Sequence, residues 1–167
     1  MNLYIVRHGE ALPVGNGIAG DADRPLSPRG KLDIAALGDV IAGEQSPGVL
    51  VLSSPLARAR QTAEIIAARL DGSPGIRASE NLAPGFRPKA LLSELTAAGV
   101  EMIVAVGHQP DLTTFLSYVI ADQSYAGVAF PPGGAAKLTV HPSRADADPT
   151  LHWLLTPELV HRILSTR

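Results

Sequence analysis

Three short apolar runs, "LYIV", "VLVL" and "MIVAV", set the tightest limit on what this chain can fold into. Each is too short for a core helix and too uniformly apolar for a strand with one wet face, so each reads as a strand buried on both sides. Such strands need helices above and below them, and the intervening segments supply these. "LSPRGKLDIAALGDVIAG" predicts a helix with Ser27 as N-cap, Pro28 at the first helical position and an end near Gly43. Its inward face is read as Leu32, Ala35, Ala36 and Val40. "SPLARARQTAEIIAARL" predicts a second helix, with Ser54 as cap and Pro55 just inside. "PKALLSELTAAG" and "QPDLTTFLSYVIA" predict two more, the latter with proline in or just before its first turn. "IRAS" reads as a short strand, "GGAAKLTVHP" and "TLHWLLTP" as a strand hairpin, and "ELVHRILS" as a terminal helix. The alternation implies an α/β three-layer sandwich: a mainly parallel central sheet with an antiparallel edge and helices on both faces. At 167 residues, one domain spanning 1–167 is expected.

With 14 Lys+Arg against 16 Asp+Glu, the net charge of −2 gives no general attraction to nucleic acid or to an anionic membrane. Any anion binding must be local. The count of 0 Cys removes disulfides, thiolate metal sites and a cysteine nucleophile together. No charged leader precedes an apolar stretch, and no run approaches the roughly 18 apolar residues of a membrane span. A cytoplasmic protein is the expectation.

In a parallel sheet, ligands bind outside the carboxyl ends of the strands. Three strands carry distinctive residues there: Arg7 and His8 after the first, Arg58 just beyond "VLVLSSP", and His108 after "IVAVG". Two guanidiniums and two imidazoles meeting in one crevice are costly to assemble without an anion, and a phosphoryl group suits them. Gly9 lets the backbone approach such a ligand, and the N-terminus of the helix that carries Arg58 adds positive potential. A neutral imidazole is the best nucleophile present, which points to His8, with Arg7, Arg58 and His108 on the transferring oxygens. His141, His152 and His161 read as surface or satisfied core groups, and Arg60 as facing solvent. Glu10 either orients a pocket group or is a plain loop carboxylate.

"RHGE", "RPLSPRG", "SSPLARARQTAE" and "GHQPDL", in this order over the first two-thirds of the chain, resemble the histidine phosphatase (phosphoglycerate mutase-like) superfamily. "DRPLSPRG" and the short length are most similar to the SixA-type phosphohistidine phosphatases. "ENLAPG", "FPPGGAAKLTV" and "LHWLLTP" are similar more loosely. The resemblance implies His8 as the phosphorylated nucleophile, a phosphate pocket of Arg7, Arg58 and His108, and no metal or other cofactor. It implies as partner either a histidine-phosphorylated protein or a small phosphate ester. Larger members insert helices over the pocket, and the short interval here implies an open one. The carboxylate that handles protons is read first as Glu80, by its place between the two matching segments, with Asp21 and Asp23 as rivals, while Arg24 either pairs with the two aspartates or docks substrate at the pocket rim.

Overall fold

The computed structural model describes residues 1–15, 17–44, 47–72, 75–121, 127–141 and 149–166. Six strands, β1 (Asn2–Arg7), β2 (Val49–Ser53), β3 (Ile76–Ala78), β4 (Met102–Gly107), β5 (Ala135–Thr139) and β6 (Thr150–Leu155), form one sheet in the order β3-β2-β4-β1-β5-β6. β3, β2, β4 and β1 run parallel, while β5 and β6 add an antiparallel edge. This is the mixed sheet expected from the sequence. The helices are α1 (Pro28–Ala42), α2 (Ala57–Ala67), α3 (Pro88–Ala97), α4 (Asp111–Ala121) and α5 (Pro157–Ser165). Among the described residues no helix is long and apolar enough to cross a membrane.

The unbroken apolar strands serve two cores because successive side chains point to opposite faces. Tyr4 and Val6 pack with Ile34, Leu37, Ala63 and Ile66 of α1 and α2 and with Val160 of α5. Leu3 and Ile5 pack on the other side with Leu91 and Leu95 of α3 and Leu112 and Phe115 of α4. Each fully buried aliphatic side chain contributes about 1.5–3 kcal/mol, so this double use of the central strands supplies much of the driving force.

α1 starts as its sequence indicates, with Ser27 Oγ accepting from Gly30 N at 2.9 Å and Gly43 closing the helix. Its inward face differs from the expectation. Leu32 is 63% exposed, and Ile34, Leu37 and Ile41 are buried instead. Ile34, Leu37 and Ile41 join the core with Tyr4, Ile66 and Val160, which leaves Leu32 outward, and on the same helix Asp33 bonds Arg29 at 2.9 Å and His161 of α5 at 2.7 Å. α2 also starts later than read: its N-cap is Leu56, with no side-chain cap, and Ser54 is drawn into the site described below.

Two glycines bring the loop after β1 against α1. A Cβ on Gly9 would lie 2.8 Å from Ile34 Cγ1, and one on Gly30 would lie 2.2 Å from the Glu10 carbonyl oxygen. Gly9 is thus needed for helix packing.

Candidate active site

The register Arg7↔Gly107 and Ser53↔Val106 aligns the carboxyl ends of β1, β4 and β2 at one edge of the sheet. Arg7 and His8 therefore emerge beside His108, and Ser54 beside both. Arg58 enters from the first turn of α2. Arg7, His8, Arg58 and His108 line a cavity of about 440 Å³ together with Glu10, Asp21 and Arg24 from the loop after β1. Apart from Arg58, the lining comes from strand ends and loops, with Pro84 and Pro132 at its margin.

Two contacts fix the state of His8. Its Nδ1 lies 2.8 Å from the Gly9 carbonyl oxygen, and its Nε2 accepts from Arg58 Nε at 3.1 Å. A carbonyl only accepts and a guanidinium only donates, so the ring proton sits on Nδ1 and Nε2 keeps its lone pair. Burial holds the pKa of His8 down to about 4, helped by the charges of Arg58, Arg7 and Arg24 and opposed by the bond to Gly9. Burial, with His8, Arg58 and Arg7, holds that of His108 to about 3, against the pull of Asp21. The two rings lie with centroids 5.0 Å apart, and His108 Nε2 is 2.8 Å from Ser54 Oγ.

Both imidazoles are neutral at pH 7, and the linkage has a definite sign. In the unfolded chain each titrates near 6.5, so between pH 6.5 and about 4 the unfolded state binds more protons than the folded one. Their contribution to stability is full above pH 6.5 and is lost progressively as pH falls through 4. Denaturant unfolding at pH 7 and pH 4.5 is expected to show this loss, and His108→Gln to reduce it. Equal pH dependence in the variant and the parent contradicts the assignment.

Arg58 is fully engaged: besides His8, its Nη1 donates to the Asp21 carbonyl at 2.7 Å and its Nη2 to Asp21 Oδ2 at 3.0 Å. Arg7 Nη1 is pinned by the Phe130 carbonyl at 2.8 Å. Arg7 Nε and His108 Nδ1 are buried and find no hydrogen-bond partner among the described residues. Orphaned buried polar groups cost about 1–3 kcal/mol each, a penalty that an oxyanion in the cavity would relieve.

Of the residues singled out in the sequence, Arg7, His8, Arg58, His108 and Arg24 meet at the cavity. Arg24 lines the cavity and pairs with Asp21 Oδ1 at 3.0 Å. It also ties down its own loop, donating to the Leu12 carbonyl at 2.7 Å and the Ala11 carbonyl at 3.4 Å. Of the three carboxylates considered for proton handling, Asp21 lines the cavity, whereas Glu80 and Asp23 are exposed and do not. Gly9 stands behind the site, its N–H donating to Thr62 Oγ1 at 3.1 Å. His161 and His152 are satisfied by Asp33 and Thr139, each at 2.7 Å, and Arg60 is exposed.

Sequence reasoning missed the supports. Thr62 donates to the Arg58 carbonyl at 2.8 Å while accepting from Gly9, and Gln61 accepts from Leu26 N at 2.8 Å. The "RQT" that follows Arg58 by two residues therefore ties α2 to both ends of the loop between β1 and α1. Glu94 accepts from Ser79 at 2.6 Å and Asn81 at 2.9 Å, fixing the turn that leads to Pro84. Nothing in the local pattern of α3 marked Glu94.

A parallel sheet whose strand ends gather Arg-His, a second histidine and an arginine from the next helix defines a phosphate-handling α/β enzyme. More particularly, the chain belongs to the histidine phosphatase superfamily (branch 1), whose sequence pattern matches residues 3–83, and within it the chain is SixA-like. An uncharacterized protein of Picosynechococcus sp. is 36% identical over 153 residues, covering 84% of this chain and 90% of that one. Phosphohistidine phosphatase SixA of Escherichia coli is 26% identical over 166 residues, 94% of each chain. The structure of the protein histidine phosphatase SixA complexed with tungstate shares the fold, with a TM-score of 0.80 at 24% identity over 96% of this chain and 99% of that one. Membership of the superfamily implies phosphatase activity.

Proposed function

We propose that this chain, as one histidine phosphatase domain, removes the phosphoryl group from phosphohistidine on a protein through a covalent phospho-His8 intermediate. The observation that carries this reading is the lone pair on His8 Nε2, kept bare by the Gly9 carbonyl on one side and met by Arg58 on the other. His8 Nε2 attacks phosphorus, the substrate P–N bond breaks, and its electron pair leaves on the substrate imidazole, which departs neutral because its other nitrogen carries a proton. Arg58 Nε moves from Nε2 to a phosphoryl oxygen as the new bond forms. Arg7 Nε and His108 Nδ1 are assigned the remaining contacts, an assignment in which the Ser54 hydroxyl, 2.8 Å from His108 Nε2, is the donor of that pair and the ring proton is on Nδ1. Water then attacks phosphorus, the P–Nε2 bond breaks with its pair returning to His8, and the water proton passes to a carboxylate. No step needs a metal, so turnover is expected to survive EDTA.

Asp21 is proposed as that carboxylate. Arg24 first, and Arg58 with it, hold its pKa below the usual carboxylate range, so it is ionised when the water attacks. Asp21→Asn is expected to slow hydrolysis of the intermediate on the order of 10–100-fold and to let phospho-His8 accumulate. Glu80→Gln should remain near the parent rate, because Glu80 stands outside the cavity. Alkali-quenched mass spectrometry measures the accumulation, and an unchanged steady-state level of phosphoenzyme in Asp21→Asn removes Asp21 from this role.

The cavity of about 440 Å³ also admits a small phosphomonoester, the runner-up substrate. Ester cleavage requires a proton for the departing alkoxide. His8, His108 and Asp21 are all shifted toward their deprotonated forms, which favours the phosphoramidate. Parallel turnover of the two substrate classes decides between them.

A further inference from the structure

The charge of the site inverts between its floor and its rim. Arg7 and Arg58 hold the positive charge inside, beside two imidazoles that are neutral at pH 7. The loop between β1 and α1 carries three exposed carboxylates at the mouth: Asp21 is paired with Arg24 and Arg58, while Glu10 and Asp23 have no ion-pair partner among the described residues. Between them lie exposed apolar side chains: Leu12 is 37% and Val14 55% exposed, one and three positions from Ala11, which lines the cavity. Pro84 and Pro132 face solvent at the opposite margins. Among the described residues only six large hydrophobics are this exposed, and two of them fall on this one loop.

The loop is built to hold this surface in place. Leu12 N donates to the Pro25 carbonyl at 2.9 Å, Arg24 grips the Leu12 and Ala11 carbonyls, and Ala11 bridges to Leu26. These contacts hold the backbone at Ala11 and Leu12, while the side chains of Leu12 and Val14 are exposed. Exposed apolar area on the loop that lines a catalytic cavity gains free energy when a partner covers it. Exposed carboxylates there repel a substrate that brings further negative charge and attract one that brings positive charge.

Resting on the phosphohistidine reading above, we infer that the loop of residues 10–24 is a docking surface for a phosphoprotein whose phosphohistidine is flanked by apolar and basic side chains. Polyanionic small molecules, such as bisphosphates and nucleoside polyphosphates, are disfavoured by the same rim. The specificity lies in the carrier of the phosphoryl group, which touches the rim, while the phosphoryl group itself meets the arginines within.

Two synthetic phosphohistidine peptides test this, one with leucine and lysine on both sides of the phosphohistidine and one with glycine and aspartate there. The first is expected to have a kcat/KM higher by about tenfold or more, mostly through KM. The double variant Leu12→Ser/Val14→Ser should cut that preference severalfold while leaving kcat/KM for the free phosphohistidine amino acid within about twofold, a readout that also shows the variant is folded. Equal or reversed preference between the peptides overturns the docking surface and leaves the phosphohistidine reading standing. If neither peptide is hydrolysed while a small ester is, the phosphohistidine reading itself falls, and the docking surface with it.

Discussion

His8→Ala is expected to abolish turnover, by on the order of 10⁴-fold or more, while the protein remains folded. The magnitude follows from the role of Nε2: without it no covalent bond to phosphorus forms, and the remaining cavity only binds. The fold should survive because the ring makes hydrogen bonds to the adjacent Gly9 carbonyl and to Arg58, neither of which sustains the core. Imidazole added to the variant can enter the vacated space and offer a ring nitrogen to phosphorus, so partial chemical rescue is expected. Turnover within tenfold of the parent, in a variant with unchanged circular dichroism, contradicts the assignment of the nucleophile.

Arg58→Lys is expected to lower kcat by on the order of 10²–10³-fold. Lysine keeps the positive charge but not the planar fork that reaches His8 Nε2, the Asp21 carbonyl and Asp21 Oδ2 at once. The substitution therefore separates geometry from charge. The loss should fall on kcat, because the guanidinium meets the phosphoryl oxygens most closely as the transition state forms, and single-turnover kinetics on a phosphohistidine peptide measures it. Near-parental kcat with lysine at this position shows instead that a point charge suffices.

The central strands were legible because doubly buried strands leave unbroken apolar runs, and their alternation with helices made the mainly parallel sheet legible, though not its strand order. The arrangement of Arg7, His8, Arg58 and His108 was legible for the same reason: residues at the carboxyl ends of adjacent parallel strands cannot avoid one another. What local pattern could not supply were choices made by distant contacts. Ser54 has the chemistry and position of a helix cap, yet its hydroxyl goes to His108, which is 54 residues away in sequence. The phase of α1 follows from Ile34, Leu37 and Ile41 meeting core residues as distant in sequence as Val160. Glu80 and Asp21 are both loop carboxylates, and only the folding of the loop after β1 back onto Arg58 distinguishes them. Gly9 was read as making room for a ligand, whereas the side chain it would lack space for is crowded by Ile34.

The measurement that bears most directly on the central claim is turnover, in EDTA, of a histidine-phosphorylated carrier protein beside a panel of small phosphate esters, with phospho-His8 trapped in alkali from the same reactions. The phosphoprotein is predicted to be dephosphorylated with the higher kcat/KM, and the label to map to His8. A small ester turned over faster than any phosphohistidine substrate would contradict the proposed function, even with the label still on His8.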